Sequence, residues 1–141
     1  MKIILTIVTL LFFASSAIAG EAFDLLQGSW KSDSKGTIEE LKKNPWWSPE
    51  RLESVSALLG DLVVTYKGTK CYTRMDGWER RYTFRVVAEE ARKIILEWQD
   101  PDRGLQRSVI EIFNDHYWMT LNDNKIFRER YIRIKETDRE K

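Results

Sequence analysis

Apolar and polar residues alternate along most of the chain after Asp61. Alternate residues of a strand face opposite sides of its sheet, so this pattern predicts strands with one face in a core. Glycine, asparagine and aspartate separate the alternating runs and indicate tight turns. The predicted strands cover residues 62–66, 70–75, 78–87, 94–98, 105–113, 117–121 and 125–134.

Helical spacing replaces the alternation between residues 37 and 59. Thr37 followed by Glu40 forms a capping box, which predicts a first helix ending near Asn44-Pro45. Ser48-Pro49 predicts the start of a second helix, and Gly60 its stop. Ahead of both helices, residues 26–32 predict an opening strand that contains Trp30.

These elements together predict a mainly β fold. Eight strands in sequential order, with one buried face each, favour an antiparallel up-and-down eight-stranded barrel with a two-helix insertion between strands 1 and 2. A two-sheet sandwich is the alternative. The barrel is preferred because closure removes the exposed edges of an open sheet.

The first 19 residues have the pattern of a signal peptide. Lys2 precedes an uncharged, largely apolar run over residues 3–13, and Ala17-Ile18-Ala19 offers a small-residue cleavage site before Gly20. We therefore predict a signal peptide at 1–19, a single lipocalin-like barrel domain at 20–141, and export to the periplasm or the medium, with no transmembrane span in the mature chain. The alternative is an uncleaved N-terminal anchor, although the run is shorter than the roughly 20 residues that span a bilayer.

Composition excludes several classes of function. The 141 residues contain 23 Lys and Arg against 22 Asp and Glu, which argues against a nucleic-acid partner. One histidine and one cysteine cannot supply the four ligands of a structural zinc site, so we predict no metal and no cofactor. Cys71 has no partner for an intrachain disulfide, and its strand setting predicts a small buried side chain. A reactive or dimer-linking thiol is the alternative.

Gly28-Ser29-Trp30, the helical pair, the meander and the arginine-bearing last strand together resemble the calycin superfamily. The helices after the first strand are more similar to those of fatty-acid-binding proteins than to lipocalins proper. The layout is equally similar to small exported bacterial proteins with lipocalin-like barrels and no settled role. The resemblance implies a small-ligand barrel in which Trp30 closes the floor under Arg128 or Arg130. Fatty-acid-binding proteins have ten strands and an Arg-x-Tyr on the last one, whereas here Arg130 and Tyr131 are adjacent.

The last strand carries the main prediction about a site. Its even positions include Ile126 and Ile132, and placing these inside the barrel takes Arg128 and Arg130 inside with them. Each inward arginine then needs a carboxylate, an aromatic ring or a bound anion. The interpretations left open are structural closure by pairing with a carboxylate, or a mixed apolar and anionic ligand site. The predicted ligand-binding residues are Arg128, Arg130, Arg80, Trp30, Tyr82 and Glu111.

No arrangement in the sequence indicates catalysis. His116 follows a turn with no nucleophile pattern beside it, and the paired acids lie in predicted turns. We therefore predict a non-enzymatic carrier or sensor of a small amphipathic or anionic ligand. The alternative is a protein-binding module, such as an inhibitor or an envelope accessory factor, with a barrel filled by side chains.

Overall fold

Eight antiparallel strands form a closed barrel in the computed structural model, which describes residues 20–135. Each strand pairs with the next along the chain, and the last pairs with the first, so the predicted up-and-down barrel is confirmed. The strands are β1 (Gly28–Ser32), β2 (Val63–Lys67), β3 (Lys70–Met75), β4 (Trp78–Glu90), β5 (Lys93–Asp100), β6 (Gly104–Ile112), β7 (His116–Leu121) and β8 (Glu129–Arg133). The helices are α1 (Glu21–Leu26), α2 (Ser34–Leu41) and α3 (Pro49–Ser56).

The predicted signal peptide at 1–19 lies outside the described residues. Within residues 20–135, every helix is too short or too polar to cross a bilayer.

The two helices between β1 and β2 are confirmed, but the predicted start of the first was wrong. Asp33 caps α2 by accepting a hydrogen bond from the Gly36 amide at 3.1 Å. Thr37 is instead fully buried, and its hydroxyl accepts the Arg130 amide at 2.9 Å. Ser48 caps α3 as predicted, with Pro49 as the first helical residue.

The last strand is shorter than predicted because its first residues form a turn. The Asn124 side chain accepts hydrogen bonds from the amides of Ile126 and Phe127, each at 3.0 Å. Such a side-chain turn holds the backbone out of the β ladder. Pairing of β8 with β7 therefore begins only at Glu129.

The barrel has two chemically different ends. At the closed end lie α1 and the turns after β2, β4 and β6. At the helix end lie α2, α3 and the turns after β3, β5 and β7. Sequence analysis missed α1, because a six-residue helix is too short to show a helical period.

The prediction of which residues of β8 face the barrel interior was wrong. Tyr131 is 1% exposed and faces the interior, whereas Ile132 is 39% exposed on the outside. The Tyr131 ring stacks on Tyr117, its partner on β7, with centroids 4.8 Å apart. Each face of this strand carries both apolar and charged residues. The face that contains the large Tyr131 ring points inward, because burying that ring removes more apolar surface from water.

Because Tyr131 faces inward, the arginine that lies against Trp30 is a different one from those predicted. Arg133 shares the row of Tyr131, and its guanidinium carbon lies 4.0 Å from the Trp30 ring centroid. The same guanidinium donates to the carbonyl of Leu25 and, at 3.0 Å, to that of Gln27, at the end of α1. Burial lowers the pKa of Arg133. The expectation that Arg128 or Arg130 would pair with Trp30 was therefore wrong.

Replacing Arg133 by methionine should destabilise the protein by about 2–3 kcal/mol, because it removes charged hydrogen bonds to the end of α1 and a cation–π contact. Urea unfolding monitored by tryptophan fluorescence measures this. Arg128→Met is the matched control and should cost less than about 1 kcal/mol, since its ion pair is partly exposed. Equal losses in the two variants would contradict this closure.

Candidate functional site

A cluster of four aromatic side chains fills the barrel toward the closed end. Trp30 packs edge-on against Tyr117 at 4.9 Å, and Tyr117 lies beside Tyr131 and Tyr66. All four side chains are at most 5% exposed. Burial raises the pKa of all three tyrosines, so their hydroxyls are neutral at physiological pH. These four side chains fill this half of the barrel and are called here the aromatic cluster.

Beyond the aromatic cluster, toward the helix end, the barrel encloses a cavity of about 270 Å³. Its inner wall is largely apolar and includes Tyr66, Phe84 and Leu96. Trp98 extends this wall, and Trp78 lies where β4 begins at the helix end. The lining also includes residues from β2, β5 and β7, namely Val64, Leu96, Trp98, Met119 and Leu121.

Polar side chains concentrate on the part of the lining nearest the helix end. These side chains are Arg80 on β4, Asp100 on β5, Arg103 in the turn between β5 and β6, and Gln106 on β6. The Asp100 carboxylate accepts the amides of Asp102 at 2.8 Å and Arg103 at 3.0 Å. These backbone hydrogen bonds, that from Asp102 foremost, lower the pKa of Asp100. Asp100 is therefore an ionised residue held by its own turn.

Arg80 has a distant and exposed carboxylate partner. Its guanidinium lies 3.6 Å from the carboxylate of Asp102, a side chain that is 74% exposed. It also lies 5.0 Å from the Trp78 ring centroid. The neighbouring Tyr82 phenol, followed by the Asp102 and Asp100 carboxylates, raises the pKa of Arg80. The charge is permanent, and a loose surface ion pair satisfies it only partly.

Thr73 places a hydroxyl beside Arg80. The two residues are directly opposite each other on β3 and β4, so their side chains point to the same face. Within residues 20–135, Thr73 Oγ1 is the one buried side-chain oxygen or nitrogen without a hydrogen-bond partner. A buried hydroxyl without a partner costs about 1–3 kcal/mol. The cavity wall therefore carries a donor that a bound polar group can satisfy.

Two of the six predicted site residues line the cavity, namely Arg80 and Tyr82. Trp30 belongs to the aromatic cluster at the closed end and does not line the cavity. The inward positions predicted for Arg128 and Arg130 were wrong. Both lie on the outer face of β8 and pair with α2, through Glu40 at 2.6 Å and through Asp33.

The prediction that Glu111 faces inward was also wrong. Glu111 is exposed, and its neighbours Ile110 and Ile112 are the buried residues of β6. Val109 and Phe113 share the row of Glu111, so aliphatic and aromatic residues occur on both faces of this strand. The alternation alone could not decide its phase.

Sequence analysis missed the contribution of Thr73, although a signal existed. The two-residue turn Asp76-Gly77 pairs Met75 with Trp78, and this register places Thr73 opposite Arg80. Gly77 has a φ of +69°, which suits glycine in so tight a turn.

Cys71, two residues before Thr73, also lines the cavity, and burial raises the pKa of its thiol to about 12. Cys71 was predicted to be a small buried side chain, and it is partly buried, packed against the core from β3.

No three histidine, cysteine or carboxylate side chains of residues 20–135 come together as a metal site would require. His116 contacts its neighbour Asp115 at 2.7 Å and stacks on Phe113.

Glu129 is a partly buried carboxylate at the start of β8. It accepts hydrogen bonds from Ser32 Oγ at 2.6 Å and from the Tyr131 hydroxyl at 2.8 Å. Burial nevertheless dominates, and it raises the pKa of Glu129 above its ordinary value. The folded chain therefore retains this proton over a pH range in which the unfolded chain has lost it, and stability falls as pH rises through that range.

Glu129→Gln should remove this loss, because glutamine stays neutral at every pH. We expect the variant to have a higher Tm than the parent at pH 8 and the difference to shrink toward pH 4. Thermal unfolding followed by circular dichroism at both pH values measures it, with Glu111→Gln on the exterior as the control for net charge. A variant less stable than the parent at pH 8 would show that the carboxylate is stabilising.

No protein-family model matches the chain, and no curated protein matches it either. Among solved structures, the chain is similar to the Schistosoma mansoni fatty acid binding protein in complex with arachidonic acid. The sequences are 14% identical, the match covers 81% of this chain and 99% of that chain, and the TM-score is 0.45.

Proposed function

We propose that the protein is an exported, non-enzymatic carrier or sensor that binds a small amphipathic anion in the barrel cavity. The observation that carries the proposal is the division of the cavity into an apolar inner wall and a polar part near the helix end that contains Arg80 and Thr73. Binding sites for small molecules combine these two features. Export rests on the cleavage motif in the sequence.

The cavity volume limits the size of the ligand. At about 30 Å³ for each water in the liquid, 270 Å³ corresponds to about nine water molecules. An aliphatic chain of about eight carbons therefore fits without displacing the aromatic cluster. The open interior also favours this function over a protein-binding module with a filled barrel.

Arg80 and Thr73 supply the expected contacts to the anionic head. Other arginines on the barrel have close carboxylate partners, such as Arg85 and Arg107, each 2.5 Å from Glu97. The Asp102 carboxylate is farther from Arg80, at 3.6 Å, and the other neighbours of this guanidinium are the uncharged Tyr82 and Trp78 side chains. A ligand carboxylate can replace Asp102 at the guanidinium and accept a hydrogen bond from the Thr73 hydroxyl, and such charge-assisted bonds are short and strong.

The two aspartates of the turn between β5 and β6 balance the arginines when no ligand is bound. Asp100 and Asp102 offset Arg80 and Arg103 in the cavity and at its edge. The Asp100 carboxylate already accepts two backbone amides, whereas the Asp102 side chain is mostly exposed to solvent. Asp102 is therefore the residue that competes with the ligand.

Binding to the cavity itself is tested with a neutral probe. Native mass spectrometry and calorimetry should show one 1-octanol per protein, and Ser108→Phe should weaken binding by about tenfold or more, because the ring fills the cavity. Leu105→Phe, at an exposed position on the outer face of the same strand, is the control for the added ring. Octanol binding unaffected by Ser108→Phe would place the ligand elsewhere.

The role of the anionic head is tested by comparing octanoate, 1-octanol and octylammonium. Arg80→Gln should weaken octanoate binding about tenfold, because a charge-assisted hydrogen bond is lost, and leave 1-octanol binding unchanged. The matched control is Arg81→Gln, an exposed arginine on the opposite face of β4, which should leave both affinities unchanged.

Two further variants separate the contributions to this contact. Thr73→Val should weaken octanoate binding while stabilising the unliganded protein, because it removes a buried hydroxyl without a partner. Asp102→Asn should strengthen octanoate binding, since it removes the competitor. Tighter binding of octylammonium than of octanoate would contradict an anionic ligand.

A further inference from the structure

Glu89, near the end of β4, caps the start of α1. One carboxylate oxygen accepts the Gly20 amide at 3.1 Å, and the other accepts the Phe23 amide at 2.8 Å. Gly20, at the N-cap position, has no side chain to supply this cap. The barrel wall therefore provides the acceptors that the first turn of a helix needs.

A side chain at Gly20 would require the Glu89 carboxylate to move. A Cβ built at this position would lie 2.3 Å from the carboxyl carbon of Glu89. The backbone φ of −72° is ordinary for any residue, so the close neighbour of Gly20 is the Glu89 carboxylate and not a strained backbone. The carboxylate is thus packed directly against the backbone at Gly20.

Gly20 is also the residue that follows the predicted cleavage site Ala17-Ile18-Ala19. We propose that removal of the leader completes the closed end of the barrel, because it converts the Gly20 amide into an ammonium that forms an ion pair with Glu89. A signal-processing peptidase adds one water across the Ala19–Gly20 bond. The C–N bond breaks, Ala19 leaves with a carboxylate, and Gly20 keeps an amine that is protonated below a pH of about 8.

The ion pair stabilises an element on which the closed end depends. In the longer chain Gly20 offers Glu89 one neutral N–H, whereas the mature chain offers a cation with three donors at the same place. The other end of α1 is already held, since the Leu26 carbonyl accepts Trp30 Nε1 at 2.8 Å and Arg133 donates to the Leu25 carbonyl. Cleavage would therefore fix α1 at both ends, over the aromatic cluster. This inference is independent of what the cavity binds.

The test compares two chains that differ only in where they start. One begins with a free amine at Gly20, and the other begins at Ser15, so that Gly20 remains an amide. The chain from Gly20 should melt about 3–6 °C higher. With Glu89→Gln in both chains, the difference should fall below about 1 °C, whereas the exposed neighbour Glu90→Gln should leave it intact.

A second measurement keeps the proposal testable if Glu89→Gln unfolds the chain. The ¹³C chemical shift of the Glu89 carboxyl should differ between the two starting points, and that of Glu90 should not. Equal melting temperatures for the two parent chains would overturn the proposal, as would a difference that survives Glu89→Gln. Intact-mass measurement of the exported protein must also give a chain that begins at Gly20, and a different first residue would refute the cleavage site.

Discussion

The packing of four aromatic side chains inside the barrel determines most of the remaining structure. Trp30, Tyr66, Tyr117 and Tyr131 fill the half nearest the closed end. Because Tyr131 must face them, β8 takes the phase that places Arg128 and Arg130 outside, on α2. The same phase brings Arg133 onto Trp30. The rings also leave the other half unfilled, so the cavity exists because of where this cluster lies.

The two ends of the barrel differ in how firmly their elements are held. At the closed end, Glu89 and Arg133 hold the two ends of α1, and Leu26, the last residue of this helix, is fully buried. At the helix end, the turn between β5 and β6 carries charged side chains that are largely exposed. A site that exchanges a ligand requires such a less constrained region, and a stable barrel requires the opposite end to be fixed.

The sequence predicted the strands well because turn residues mark their ends, and it predicted the phase wherever one row is clearly more apolar. Leu62, Val64 and Tyr66 form such a row. It failed at β6 and β8, where both rows mix apolar and charged residues, so that tertiary packing makes the choice. It also placed Arg80 correctly, because Tyr82 and Phe84 share its row. The orphan hydroxyl of Thr73 follows from the register of one hairpin, whereas the cavity volume depends on side-chain packing that no single-sequence pattern encodes.

The position of a bound amphiphile is the most direct test of the account. Intermolecular nuclear Overhauser effects can be measured between ¹³C-labelled octanoate and the mature protein. The account predicts contacts from the terminal methyl group to Phe84 and Leu96, together with a shift of the Arg80 Nε resonance on binding. Contacts confined to exposed aromatic residues such as Trp46, with no signal from the barrel interior, would contradict it.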